Sequence, residues 1–238
     1  KRLAVAGGAP AEEGIVEVYS WPEGKRLAEF QGHDDSVSGV AWIDNDSLAA
    51  ASLDHHVSVW DLDQEKPRLK LKGHSRGVTT VAVVRHNEKS MLVSAGLDQN
   101  LRVWDLQTGR QLRSLKNHTR EVHQLAVRPS AEGLPMVASV SQDHTVRLWQ
   151  PTIGRMVRFA RLTSPPLAVA WLSDGSLVAV ASADGAVRLV DPDTAKVVRE
   201  LPALDGWAYS LAAHPKDGSL AVGGRNGVLK RIVIKEIE

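Results

Sequence analysis

The sequence predicts an all-β fold, a β-propeller of four-stranded antiparallel blades with about six blades present. Three observations carry this. Segments beginning at 14, 55, 99, 144, 185 and 227 (GIVEVYSW, HHVSVWDL, QNLRVWDL, HTVRLWQP, GAVRLVDP, GVLKRIVI) align without gaps, their starts 41 to 45 residues apart. That is the period of a four-stranded blade. Between them run strand-length stretches rich in β-branched residues, separated by turn formers. No window sustains the 3.6-residue apolar period of a helix.

Taking the strands of a blade as a to d from the axis outward, residues 1–31 supply b, c and d as LAVAGG, GIVEVYSW and KRLAEF. Residues 32–72 supply VSGVAW, SLAAAS, HVSVWDL and PRLKLK, broken at Asp44-Asn45-Asp46, Asp54-His55 and Asp63-Gln64. Alternation puts Val57 and Val59 on one face and Ser58 on the other. Leu101 and Val103 likewise oppose Arg102. Units 73–116, 117–161 and 162–202 repeat the plan, and 203–238 supplies a, b and c as WAYSLAAHP, SLAVGGRN and VLKRIVIK. The reading is one propeller domain over 1–238 with twenty-two strands, lacking strand a of blade one and strand d of blade six. Both ends offer b and c, so the plain expectation is a fragment of a longer propeller, such as a seven-bladed one. A six-bladed ring that closes imperfectly is the alternative. The start, KRLAVAGGAPAEEG, begins on an apparent strand without methionine, as a trimmed chain would, and has no apolar core long enough for a signal peptide.

Composition narrows the function. Lys plus Arg number 29 against 28 Asp plus Glu, a net charge of +1, without the basic excess of a duplex nucleic-acid binder. The absence of cysteine removes disulfides, thiolate nucleophiles and Cys-based zinc sites. No apolar stretch approaches a membrane span. The expectation is a protein or peptide partner, no nucleic acid, no membrane, no cofactor and no metal. His55 and His56 are adjacent on a hairpin and point different ways, which suits no metal site. The compartment is not legible, with the cytoplasm as the default.

Gly32-His33, Gly73-His74 and the variant Asn117-His118 precede strand a, and Trp60-Asp61 and Trp104-Asp105 close strand c. With six copies in register, the chain resembles the WD-repeat family of propellers over nearly its whole length. The DGS turns at 174–176 and 217–219 resemble those of bacterial members. The resemblance implies a structural tetrad in three blades: His33, Ser52, Asp54 and Trp60; His74, Ser94, Asp98 and Trp104; His118, Ser139 or Ser141, Asp143 and Trp149. A buried carboxylate is costly unless it accepts several hydrogen bonds, and histidine and backbone N–H groups can supply them. A His/Ser/Asp set also suggests a hydrolase triad, but three equivalent copies, one per blade, read as staples and not as one reactive serine. Blades five and six lack the histidine. Val190 and Ile232 replace the tryptophan, Asn226 replaces the last aspartate, and blade one has Tyr19 and Glu13. Mainly apolar, softer packing is expected in five and six.

In the family, partners bind the top face, made by the d–a and b–c loops. Three positions per blade carry over to it: the third and fifth residues after the histidine and the one before the turn acid. They fall on Ser36, Ser38 and Leu53; Gly77, Thr79 and Leu97; Glu121, His123 and Gln142; Pro165, Leu167 and Ala183; and Trp207, Tyr209 and Arg225. The interaction-prone members are Glu121, His123, Gln142, Trp207, Tyr209 and Arg225, with Leu53 and Leu97 as turn-tip apolar residues that are either contacts or ordinary surface leucines. Trp207 either fills the gap left by the missing blade-six tryptophan or anchors a partner. The loop APAEE (9–13) adds Glu12 and Glu13 to the same edge as a solvated or basic-segment-recruiting feature. The functional expectation is a non-enzymatic scaffold that binds proteins or peptides on the top face. The alternatives are a regulatory or sensory appendage of a larger enzyme, or a propeller enzyme using His123 with Glu121. Self-association through the incomplete edge blades is also expected.

Overall fold

The computed structural model describes residues 1–129 and 133–234. They fall into two compact units, Lys1–Asn117 and His118–Glu238. The first holds blade one, β1 (Arg2–Ala9), β2 (Glu13–Ser20) and β3 (Arg26–His33). Blade two is β4 (Val37–Trp42), β5 (Ser47–Ser52), β6 (His56–Asp61) and β7 (Leu69–Lys72). Blade three is β8 (Val78–His86), β9 (Lys89–Gly96), β10 (Asn100–Asp105) and β11 (Gln111–Lys116). The second unit holds blade four, β12 (Val122–Val127), β13 (Val137–Ser141), β14 (Thr145–Gln150) and β15 (Arg155–Arg161). Blade five is β16 (Pro166–Trp171), β17 (Val178–Ser182), β18 (Ala186–Val190) and β19 (Val197–Pro202). Blade six is β20 (Ala208–Ala213), β21 (Leu220–Gly224) and β22 (Leu229–Ile232). Every sheet is an antiparallel meander in chain order, three-stranded in blades one and six and four-stranded elsewhere. The described residues thus contain twenty-two strands and no α-helix. The expected last strand runs to Lys235, which lies outside the described residues.

The second strand of each full blade explains why the sequence reads as small and apolar there. In β5, Leu48 and Ala50 pack with Val16 and Val18 of blade one. Their neighbours Ala49 and Ala51 pack with Val78 and Leu92 of blade three. In β17, Val178 and Val180 face blade four, while Ala179 and Ala181 face blade six. A strand covered on both faces loses the polar alternation of a half-exposed one, and small side chains let neighbouring sheets approach.

Three buried networks hold the c-strand tryptophans. His74 Nδ1 lies 2.9 Å from Asp98 and its Nε2 2.7 Å from Ser94 Oγ, which also accepts the Trp104 indole N–H at 2.8 Å. His118, Asp143, Ser139 and Trp149 repeat this at 2.7, 2.7 and 2.8 Å. An indole nitrogen only donates, so the serine proton points to the histidine Nε2 and the histidine proton sits on Nδ1, facing the carboxylate. Each carboxylate also caps its own turn: Asp54 accepts from the His56 and Asp34 backbones, and Asp98 from Asn100 and Ser75. The residue after each acid is left-handed, with φ of 74° at His55, 67° at Gln99, 64° at His144 and 80° at Gly185. Burial opposes the charge on Asp54, Asp98 and Asp143. The histidine and backbone donors outweigh it and hold all three well below the usual carboxylate range. Burial pushes His118 down, against the pull of Asp143.

Blade two departs from the expectation. Its network serine is Ser58, not Ser52: His33 Nε2 and the Trp60 indole both meet Ser58 Oγ at 2.6 Å, while His33 Nδ1 meets Asp54 at 2.8 Å. Register gives the reason. Ser94 pairs across strands with Arg102 and Ser139 with Arg147, but the same pair in blade two is Ala50 and Ser58. The hydroxyl therefore reaches the same point from the opposite strand. Ser52 instead donates to Asp35 O at 2.7 Å, and Ser141 does the same to Arg120 O at 3.1 Å.

Blade five packs mainly through apolar residues, as expected, but adds one buried charge that the sequence reading did not foresee. Arg188, 3% exposed, donates to both oxygens of Asp184 at 3.2 and 2.7 Å, to Thr163 Oγ1 at 3.1 Å and to Glu200 at 2.9 Å. A forked guanidinium replaces the absent histidine as the carboxylate's partner. Leu162, in the histidine's place, is buried.

Candidate functional site

The edge made by the d–a and b–c loops rests on one hydrogen bond and one bulge, repeated in blades two to six. The residue before the turn acid donates its N–H to the third residue after the histidine position. The pairs are Leu53 to Ser36 at 3.0 Å, Leu97 to Gly77 at 2.8 Å, Gln142 to Glu121 at 2.9 Å, Ala183 to Pro165 at 2.9 Å and Arg225 to Trp207 at 3.0 Å. Just beyond, the inner strand slips register between Val37 and Gly39, Val78 and Thr80, Val122 and Gln124, Pro166 and Ala168, and Ala208 and Ser210. The extra residue is Ser38, Thr79, His123, Leu167 or Tyr209. A bulge of this kind re-aims its side chain. The three positions chosen from sequence are thus brought together in each blade by backbone alone.

In the first unit these side chains are absorbed. Ser38 Oγ donates to Val78 O at 2.6 Å, and Thr79 Oγ1 to Ala95 O at 3.1 Å. A Cβ on Gly77 would lie 2.9 Å from Leu53 Cδ2 and 3.2 Å from Leu97 Cδ1. Leu53 and Leu97 are therefore half-buried seam residues packed around that glycine, not free tips.

In the second unit the blade-four and blade-five members are half-buried, and only those of blade six stand exposed. His123 Nε2 lies 3.1 Å from Gln142 Oε1. Glu121 contributes its carbonyl to Gln142, so the described hydrogen bonds do not assemble the acid–base pair of His123 with Glu121. Pro165, Leu167 and Ala183 form a half-buried apolar step on blade five, whose inner strand β16 packs between β12 and β20. On blade six, Trp207 and Tyr209 are 51% and 52% exposed, their rings 5.7 Å apart and tilted by 59°. Trp207 does not fill the blade-six core, which Leu211, Leu220 and Val222 occupy against Ala181 and Leu189 with Ile232 beside them. Arg225 is exposed and runs past Gly206, whose added Cβ would lie 3.6 Å from Arg225 Cδ.

The model of the WD domain, G-beta repeat, matches residues 24–61, 65–105, 109–150 and 160–191, well over half of the chain. The chain belongs to the WD-repeat family. The match stops before the blade in which Asn226 and Ile232 replace the family's acid and tryptophan. Among curated relatives, coatomer subunit beta' of Rattus norvegicus is 44% identical over 129 residues, covering 53% of this chain and 14% of its own length. THO complex subunit 3 of Arabidopsis thaliana is 24% identical over 168 residues, covering 68% of this chain and 39% of its own length. Telomerase protein component 1 of Mus musculus is 28% identical over 200 residues, 81% of this chain and 7% of its own length. The WD-repeat chain thus spans well under half the length of these relatives.

Proposed function

We propose that this WD-repeat chain is a non-catalytic interaction module that binds a protein or peptide through the loop edge of its second unit. The observation that carries the reading is the exposed Trp207–Tyr209 pair beside Arg225, the residue types that concentrate binding energy at interfaces. The histidines and serines of the three networks are buried and committed to hydrogen bonds, leaving none free as a nucleophile or base. Relatives named as subunits of coatomer and of the THO complex support a protein partner over a small substrate, and the balanced charge supports a protein over nucleic acid. The small share of those relatives that the chain covers suits a regulatory or sensory module within a larger protein equally well. The bacterial character read from the DGS turns rests on those turns alone, since the relatives named are from animals and a plant.

The test is capture of partners from a native lysate followed by hydroxyl-radical footprinting of the purified complex. Protection of Trp207 and Tyr209, with Leu112 on the first unit unchanged, is the expected result. Protection elsewhere, with these rings still reactive, contradicts the assignment. Self-association belongs to the same proposal: among the described residues no strand pairs with the outer edge of β22, where Leu229 is 75% exposed. Sedimentation should show a concentration-dependent shift that Leu229→Lys reduces.

A further inference from the structure

Accepting the second-unit edge as the docking site, the geometry points to one kind of occupant: an acidic peptide segment in which a carboxylate stands next to a proline, aliphatic or aromatic side chain. The apolar part of the match comes from Pro165 and Leu167 on blade five and the two rings on blade six. Rings alone leave the choice open, because an exposed aromatic pair accepts an apolar group or, through its faces, a cation. Arg225 decides it. Its backbone N–H bonds Trp207 O at 3.0 Å and its Cδ passes Gly206, the residue before Trp207, so its permanent positive charge stands on the same loop edge as the aromatic pair. That charge repels a lysine or arginine and offers a planar fork to a carboxylate.

Several arginines of the unit are committed to partners, while among the described residues the exposed Arg120 and Arg161, like Arg225, form no ion pair. Arg147 is paired with Asp143, Arg188 with Asp184 and Glu200, and Arg231 with Asp217. Arg128 lies over the Trp171 ring at 5.2 Å and donates to Gly175 O. Among the described residues no carboxylate pairs with Arg225. Two acids belong to the same edge of blades five and six. Asp184 is held by Arg188, and Asp205 is exposed on the loop before Gly206. Asp205 sets a local brake on acidic ligands, so Asp205→Asn should tighten their binding.

The experiment is selection from a phage-displayed library of random short peptides, run on the whole chain and on Arg225→Glu in parallel. Enriched peptides are then synthesised and titrated against Trp207→Ala. The expected result is a set of peptides with Asp or Glu beside Pro, aliphatic or aromatic residues. Arg225→Glu should lose that set and enrich Lys and Arg in its place. Trp207→Ala should weaken the synthetic peptides by about thirtyfold, as loss of an aromatic anchor does. Peptides that bind Trp207→Ala as tightly as the parent overturn the docking site itself. Peptides that need Trp207 but are basic, or are indifferent to Arg225→Glu, leave the site standing and overturn the acidic partner. No enrichment on a chain with an intact melting curve overturns both.

Discussion

The two units build the same loop edge and use it differently. In the first, the bulge residues Ser38 and Thr79 turn their hydroxyls onto backbone carbonyls, and Leu53 and Leu97 close around Gly77. In the second, the same backbone positions carry His123, Gln142, Trp207, Tyr209 and Arg225, and the blade-six members stand in solvent. The hydrogen bond from the residue before the turn acid is present in every one of these blades at 2.8 to 3.0 Å. Backbone geometry therefore makes the platform, and the side chains placed on it decide whether it is seam or site. Stability should live in the buried networks of both units and binding in the exposed edge of one.

The largest break in that division should come from acid. Asp54, Asp98 and Asp143 all titrate below their unfolded values, so their stabilisation is present above the ordinary value of 3.8 and is lost as pH falls through and below it. His118 is also lowered, so the unfolded chain takes up its proton first, and stability begins to fall once pH drops below 6.5. Denaturant midpoints followed from neutral pH downward should decline in those two stages. A flat profile down to the carboxylate range removes the buried neutral histidine from the account.

Next in size is Asp98→Ala, which strands His74 Nδ1 and two backbone donors and should cost roughly 2–4 kcal/mol. Equilibrium unfolding of the variant measures it, and a curve matching the parent's would mean that the networks are ornamental. Smaller again is the difference between the two blade-two serines. Ser58→Ala leaves both the His33 nitrogen and the Trp60 indole without a partner and should cost about 1–3 kcal/mol, while Ser52→Ala loses its bonds to the Asp35 carbonyl and the Asp54 N–H, both beside the exposed turn, and should cost about 1 kcal/mol. Adding Ala50→Ser to Ser58→Ala restores the hydroxyl from the strand that supplies it in blades three and four. Failure of that rescue would show that the two serine positions are not equivalent.

Strand number and the His/Asp/Trp members of the networks were legible in the sequence, because period-2 alternation and turn acids mark the strands, although the third strand runs on to His33, past the boundary expected at 31. Ser58 was not legible as the network serine. A hydroxyl can reach the same point from either strand of a pair, and only the register of Ala50 against Ser58 shows which one does. The forked Arg188 left a signal that could have been read: an arginine stands four residues after the turn acid in three consecutive blades, at Arg102, Arg147 and Arg188. The bulge left none, since Ser38, Thr79, His123, Leu167 and Tyr209 share no residue type. Whether Trp207 was core or surface turned on packing by Leu211, Leu220 and Val222, which composition does not reveal.

The division between network and edge is tested most directly by one side chain with two fates. Trp149 is 1% exposed and Trp207 51%. Thermal and denaturant unfolding of Trp149→Ala and Trp207→Ala should be measured beside the affinity of the captured partner for Trp207→Ala. A buried indole removed should cost about 3–5 kcal/mol of folding. The exposed one should change stability by no more than about 0.5 kcal/mol, while binding falls about thirtyfold. If Trp207→Ala instead unfolds the chain as Trp149→Ala does, or leaves binding intact, the edge of the second unit is structure and not site.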